Sequence, residues 1–319
     1  VTRYLLTGAT GFVGRRLTRM ILAGGHSVTA LARPSARAQA LRAMGVTVID
    51  GDLRTGAGLG DAVAGADRVI HLAALVKART AADFREVNHH GTARLAGALA
   101  ALDRPPRLVV CSSLAAAPAG GPVSHYGASK LAGEQAVREH ADRLQAVILR
   151  PGIVYGPGEP ALLPALIPMV RIGVVVKAGF GPRHHCLLHV DDLCAALLAA
   201  AERGATLSGA DPSAGVYPVC DGNAYDWLDL CTALAEALGC RPPAVLPMPM
   251  GVVHGAARVA ELVGRACGRV PAFNADKARE MSHTPWVCPS AGIGAAAREL
   301  GYAPSIPLHR GLATALTGG

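Results

Sequence analysis

The sequence predicts an α/β fold with a doubly wound parallel sheet, on two observations. In the first half, short apolar runs alternate with helical patterns. Such alternation implies right-handed βαβ units and a sheet covered by helices on both faces. The first apolar run also leads into a glycine-rich turn, after which Phe12, Val13, Leu17, Met20 and Ile21 recur at helical spacing.

Strands are expected at Arg3–Leu6, Ser27–Ala32, Val46–Ile49, Arg68–Leu72, Leu108–Cys111 and Ala146–Leu149. Helical patterns lie between them, near 12–24, 35–44, 57–64, 84–102 and 126–141. After Arg150-Pro151-Gly152 the pattern changes, and prolines and glycines become frequent up to Pro168. From there the chain reads as mostly helical, at 161–171, 191–202, 226–238, 250–266, 275–281 and 290–300, with one more strand at Val216–Cys220. Residues 1–150 are therefore expected to form the sheet domain, with segments near 187–222 returning to it. Residues 151–319 are expected to form mainly a smaller helical cap.

Gly8, Gly11 and Gly14 sit between the first strand and the first helix. A strand running into such a turn points backbone N–H groups at a helix N-terminus, where the orphan amides and the helix dipole favour an anion. Glycine lets the chain turn tightly and approach a pyrophosphate closely. The spacing differs from the usual GxGxxG fingerprint, so the flanking strand and helix carry the reading. Thr10, Phe12 and Val13 belong to the same dinucleotide-binding turn. The plain alternative is a glycine-rich βα connection.

The ends of the next strands extend this side. The second strand ends at Ala32-Arg33, where an acid would favour NAD and an arginine can receive the 2′-phosphate of NADP. Arg33 thus favours NADP(H) over NAD(H), unless it is a plain surface arginine. The third strand leads to Asp50-Gly51-Asp52-Leu53, whose carboxylate could accept from an adenine amino group. The fourth leads to His71-Leu72-Ala73-Ala74, small enough for a ligand to cross. His71 reads as functional or as an ordinary half-buried histidine.

The chemical side begins at Ser112-Ser113, beyond the fifth strand. Tyr126 and Lys130 follow, four residues apart and so on one helix face. A free tyrosine ionises near pH ~10, and a nearby ammonium lowers that value. Ser113 can hold a substrate oxygen as charge develops on it, while Tyr126 exchanges the proton during hydride transfer. The alternative is a solvated tyrosine–lysine face.

Composition narrows the classes. The chain has 319 residues, 51% of them hydrophobic, and mean hydropathy is +0.31. No apolar run approaches the ~18 residues of a membrane span. The net charge is +8, but the arginines are scattered and aromatics are 4%, which argues against nucleic-acid binding. The cysteines at 111, 186, 194, 220, 231, 240, 267 and 288 include no CxxC pair. They read as free buried thiols in a reducing cytoplasm, with no metal bound. No signal-peptide pattern is visible, and the expected location is cytoplasmic. His184, His185, His189, Asp191 and Asp192 read as structural rather than as a metal site, because Cys186–Val190 reads as a strand or turn entering the helix from Asp192. Tyr155 and Trp227 read as packing, and Arg183 as either a solvated side chain or a substrate contact.

The chain resembles the extended short-chain dehydrogenases/reductases, of the epimerase/dehydratase and 3β-hydroxysteroid dehydrogenase-like group. TGATGFVG, GDL at 51–53, HLAA at 71–74, VNHHGT at 87–92, SS at 112–113, YGASK at 126–130, RPGIVYGPG at 150–158 and HVDDL at 189–193 carry the likeness. The resemblance implies a Rossmann-type sheet with Gly8, Gly11 and Gly14 on the pyrophosphate and Asp52 and Leu53 flanking adenine. It implies Ala73 and Ala74 on the nicotinamide path, Asn88 at the core of the site and Pro151, Gly152, Ile153 and Val154 by the nicotinamide amide. Ser113, Tyr126 and Lys130 would be catalytic, and Lys130 would also bind the nicotinamide ribose.

Two departures from the sugar-nucleotide members matter. The Ser113–Tyr126 segment is short and rich in Ala, Gly and Pro, and Arg33 argues against tightly held NAD. Together they lead to an NADPH-dependent reductase of a ketone or aldehyde. The apolar 151–186 region suggests a lipid-like, terpenoid, steroid or polyketide substrate. The alternatives are a nucleotide-sugar epimerase/dehydratase with bound NAD and a non-catalytic dinucleotide-sensing protein. A homodimer through helices 88–102 and 126–141 is possible; no membrane partner is expected.

Overall fold

The computed structural model describes residues 1–317 apart from Thr284. Its centre is a seven-stranded parallel sheet. The strands are β1 (Arg3–Thr7), β2 (Ser27–Ala32), β3 (Thr47–Asp50), β4 (Arg68–His71), β5 (Arg107–Cys111), β6 (Ala146–Pro151) and, after three short strands, β10 (Val216–Val219). Their spatial order is β10-β6-β5-β4-β1-β2-β3. The chain therefore starts in the middle, winds outward through β2 and β3, and then returns to β4 on the other side of β1. This is the Rossmann-like arrangement that the alternating pattern predicts.

Successive side chains of a strand point to opposite faces, and here both faces are apolar. Tyr4 and Leu6 pack into one core cluster with Leu17 and Ile21 of α1 (Phe12–Ala23), Leu41 of α2 (Ala36–Ala43) and Leu193 and Leu197 of α8 (Val190–Glu202). Leu5 points the other way. It joins Leu59 and Val63 of α3 (Leu59–Val63), Leu95 and Leu99 of α5 (Thr92–Ala100), and Val137 of α6 (His125–Arg138).

The expected helix at 84–102 is three pieces in the structure. α4 (Ala81–Phe84) starts earlier, where Thr80 and Asp83 form a reciprocal capping box. A π-helical stretch follows over Arg85–Gly91 and then α5.

The second half also holds short strands, of which the sequence pattern suggests only the one within Cys186–Val190, as a strand or turn. β7 (Ile153–Tyr155) pairs with β9 (Leu187–His189), and β8 (Val174–Ala178) pairs with β11 (Ala244–Met248). Strands of three to five residues are too short to show a period, and Pro247 weakens the pattern of β11 further. The helices of this half are α7 (Leu162–Ile172), α9 (Trp227–Leu238), α10 (Met250–Ala266), α11 (Ala275–Ser282), α12 (Ser290–Leu300) and α13 (Leu308–Thr317). α13 was not expected; it packs against α9 and β7. α10 turns Val252, Val259, Leu262 and Val263 outward. No helix among the described residues is long and apolar enough to cross a membrane.

Candidate active site

Because the strands are parallel, their carboxyl ends share one edge of the sheet. Residues dispersed in the sequence meet there: Gly8 after β1, Arg33 after β2, Asp52 after β3, Ala73 and Ala74 after β4, Ser113 after β5 and Gly152 after β6. β1 and β4 are neighbours, but the chain winds outward from them in opposite directions. Such a switch point opens a crevice for a ligand.

The glycines at the switch point are sterically required. Gly8 has φ +76°, and a Cβ there would lie 2.6 Å from the Ala73 amide nitrogen. A Cβ on Gly14 would lie 2.2 Å from the Gly8 carbonyl oxygen. Gly11 opens α1 with no side-chain cap and no acid in the first turn. The first-turn amides of this 12-residue helix are left for an anion. The turn thus fits the pyrophosphate of a dinucleotide. Thr10, Phe12 and Val13 are half-buried around it.

Arg33 is exposed and makes no ion pair among the described residues. Ser35, close by, is committed to capping α2 through the Ala38 amide. Asp52 is engaged by Arg54 at 2.7 Å, and this guanidinium holds its carboxyl below the usual range, with a smaller contribution from Arg33. Leu53 is buried in the core beside α3 and α5.

Asn88 is buried and fully engaged in protein contacts. Its Oδ1 accepts from the Leu75 amide at 2.7 Å, and its Nδ2 donates to the Leu75 carbonyl and to Ser129 Oγ, each at 2.9 Å. It therefore ties the loop after β4 to α6. His71 is likewise internal. Thr7 Oγ1 lies 2.6 Å from its Nδ1 and Thr92 Oγ1 2.9 Å from its Nε2. Burial, and then the Lys130 charge, push its pKa down to about 3, so it is neutral at ordinary pH.

Ser113, Tyr126 and Lys130 converge at the edge between β5 and α6. Ser113 Oγ accepts from the Ala115 amide at 3.1 Å, which leaves the hydroxyl proton to donate outward. Ser113 also faces the half-buried Tyr126 phenol. Burial raises the phenol pKa first and the Glu280 charge second, with Ser113 opposing. The phenol is therefore held protonated. Lys130 is buried, and its Nζ donates to the Cys111 carbonyl at 2.8 Å. Burial lowers its pKa, while Cys111 and Glu134 oppose that shift.

Pro151 closes β6 beside Val219, and the Gly152 amide donates to the Val219 carbonyl at 3.1 Å. A Cβ on Gly152 would meet the Cys186 carbonyl oxygen at 2.5 Å, and the Ile153 amide donates to that same oxygen at 2.9 Å. Val154 continues into β7.

The sequence did not reveal three acids that build the site. Asp276 of α11 accepts from the His125 amide at 2.7 Å and the Tyr126 amide at 3.0 Å. Glu280, one turn on, accepts from Ser124 Oγ at 2.9 Å and from Lys277 Nζ at 2.8 Å. Asp276 thus caps the N-terminus of the helix that carries Tyr126, and Glu280 holds its N-cap residue Ser124. No local pattern signals contacts across 150 residues. Glu134 is buried, pairs with Arg150 and accepts from Ser112 Oγ. Its place four residues after Lys130 was a usable signal.

Other residues have structural partners. Asp191 pairs with Arg16 of α1. Asp192 accepts from the Ser305 amide at 3.1 Å and the Ile306 amide at 3.0 Å. His189 caps α8. Arg183 donates to the Met281 carbonyl, so it is a packing contact rather than solvated. Tyr155 is buried under α13 and Trp227 is half-buried in the same cluster.

The pattern of the NAD dependent epimerase/dehydratase family matches residues 4–212. The chain is similar to a 4-hydroxy-2-methyl-3-oxo-4-farnesyl-3,4-dihydroquinoline-1-oxide ketoreductase of Stigmatella aurantiaca, 32% identical over 97% of this chain and 94% of that protein. It is also similar to a ceramide reductase of Caulobacter vibrioides, 34% identical over 90% of this chain and 86% of that protein. Among solved structures it shares its fold with human epimerase family protein SDR39U1 with NADPH, at TM-score 0.72 and 20% identity, covering 99% of each chain. It shares it too with UDP-glucuronic acid 4-epimerase from Bacillus cereus in complex with NAD, at TM-score 0.71 and 20% identity over 99% of this chain and 98% of that one. With these matches and the glycine turn and Ser–Tyr–Lys edge described above, the chain belongs to the NAD dependent epimerase/dehydratase family and is an NAD(P)-dependent short-chain dehydrogenase/reductase.

Proposed function

We propose that the protein is an NADPH-dependent reductase of a ketone or aldehyde on an apolar metabolite. The observation that carries the reading is the arrangement at the strand edge: the Tyr126 phenol lies beside the Ser113 hydroxyl, and Lys130 is anchored on the Cys111 carbonyl at the end of the same strand. The dinucleotide, when bound, supplies the hydride. Ser113 donates its hydroxyl hydrogen bond to the carbonyl oxygen and holds it in place. Tyr126 then donates its phenolic proton to that oxygen as the alcohol forms. Lys130, anchored on the Cys111 carbonyl at the end of the same strand, would hold the nicotinamide ribose of the bound dinucleotide.

An apolar substrate is supported by two relatives named as reductases, one of a farnesyl quinoline oxide and one of ceramide. The preference for NADPH is supported by Arg33, an exposed cation at the end of β2 with no ion-pair partner among the described residues. A charge-assisted pair with a 2′-phosphate is worth about 1.5–3 kcal/mol, or about 10- to 100-fold in affinity.

A fluorescence titration with NADPH and NADH, repeated on Arg33→Ala, tests this reading. The expected result is a preference for NADPH of at least about 10-fold that collapses in the variant. NADH preference, or NAD that co-purifies, would overturn it and favour the epimerase/dehydratase reading, in which NAD is retained and regenerated.

A further inference from the structure

We propose that Cys186, Cys220 and Cys288 form a three-thiolate site for a soft, thiophilic metal ion, directly behind the nicotinamide end of the active site. In the sequence these cysteines are isolated, and they read as unrelated core thiols. The fold brings their sulfurs together, each within 4.8 Å of the others, and all three residues are buried. They come from three places: the residue before β9, the residue after β10 and the residue two before α12.

The surroundings suit sulfur that carries negative charge. The Cys288 amide donates to Cys186 Sγ at 2.7 Å. The Gly222 amide donates to Cys220 Sγ at 3.3 Å, from a turn that Gly222 closes at φ +89°. A neutral thiol in an apolar core needs no such donors, whereas a thiolate ligand is stabilised by them. Leu114, Val287 and Ile293 enclose the cluster, which keeps out hard, water-seeking cations.

Among the described residues no His, Asp, Glu or further Cys completes a fourth position. Soft thiolate sets select copper(I) and zinc-group ions. A structural zinc ordinarily takes four ligands, so a set of three favours an ion content with trigonal geometry, copper(I) first. On loading, each ligating thiol exchanges its S–H bond for a sulfur–metal bond and releases its proton to solvent; no electron moves.

The position gives the site a consequence. The Cys186 carbonyl accepts from the Ile153 amide, Val219 next to Cys220 accepts from the Gly152 amide, and Leu114 follows Ser113. A bound ion would pin the strands beneath the active-site floor.

The test uses the whole chain with Cys267→Ser, which removes the exposed thiol, kept reduced without added thiols. Copper(I), supplied as a weak cuprous complex, and cadmium(II), as a zinc-group probe, are titrated separately into the folded protein. Each is also added during refolding, so that burial does not block entry. The expected result is an ultraviolet thiolate-to-metal band that saturates at one equivalent, with a raised melting temperature. Cys220→Ser and Cys288→Ser should abolish the band, while Cys240→Ser should keep it. A band with copper alone assigns copper(I), and a band with both assigns the wider soft-ion class. Absence of a saturating band with either ion, by either route, would overturn the proposal. So would peroxide closing two of the thiols to a disulfide in protein that takes up no metal. Since the readout needs no cofactor or substrate, its failure is independent of the reductase reading.

Discussion

At the residue scale, the chemistry rests on Tyr126 and Lys130. Tyr126→Phe and Lys130→Ala should each lower turnover by at least ~100-fold, measured with circular dichroism and thermal unfolding as the controls for folding. Near-normal turnover in either variant would remove the catalytic assignment. These two residues were visible in the sequence because a helix brings positions four apart onto one face. Their electrostatics were not. The lysine was expected to set the phenol's pKa, yet burial and Glu280 raise it and no opposing contribution from Lys130 is resolved.

His71 gives a second residue-scale prediction. Its pKa falls from 6.5 to about 3 on folding because burial penalises the imidazolium. Between those values the unfolded chain binds the extra proton, so stability rises with pH there. The contribution is complete above pH 6.5 and is lost as pH falls toward 3. At pH ~5 the loss is about 2 kcal/mol. Denaturant midpoints at pH ~7 and ~5 should therefore separate more for the wild type than for His71→Gln. Equal separations would show that His71 does not carry the effect.

At the element scale, α6 depends on α11. Asp276 occupies two amides at the start of α6, a role ordinarily filled by a local capping residue, and Ser124 caps the Gly127 amide as well. Asp276→Ala should cost about 1 kcal/mol of stability. It should also lower kcat by roughly tenfold through misplacement of Tyr126, with dinucleotide affinity unchanged. A change in affinity alone would argue against a positioning role. The first six sheet strands were legible because each is an apolar run bounded by turn residues. β7, β8 and β11 were not, because three to five residues give too little period to distinguish strand from loop, and β9 was legible only as a strand or turn leading into α8. The break of 84–102 into α, π and α turns was also hidden, since all three share nearly the same apolar spacing.

At the scale of the whole molecule, the last sheet strand, β10, comes from beyond β7–β9, so the chain crosses between the sheet and the second half more than once. Occupation of the β1–α1 turn should then be felt throughout. NADPH at ~100 times its dissociation constant should stabilise the fold by about 2.7 kcal/mol. Thermal unfolding should shift upward as one transition; a second transition insensitive to NADPH would show that the two halves unfold separately.

The sequence by itself determined the sheet, its winding and the family, because hydrophobic period, glycine placement and the Tyr–Lys spacing are local properties. It also located the residues at the strand ends, since parallel strands put all their carboxyl ends on one edge. Tertiary structure alone decided that Asp276 and Glu280 brace the catalytic helix, that Asn88 and His71 are internal fasteners, and that three isolated cysteines share one pocket. Those facts depend on contacts between residues 13 to 156 positions apart in the chain. Such contacts leave no periodic trace in the chain, because they are fixed only when whole elements pack.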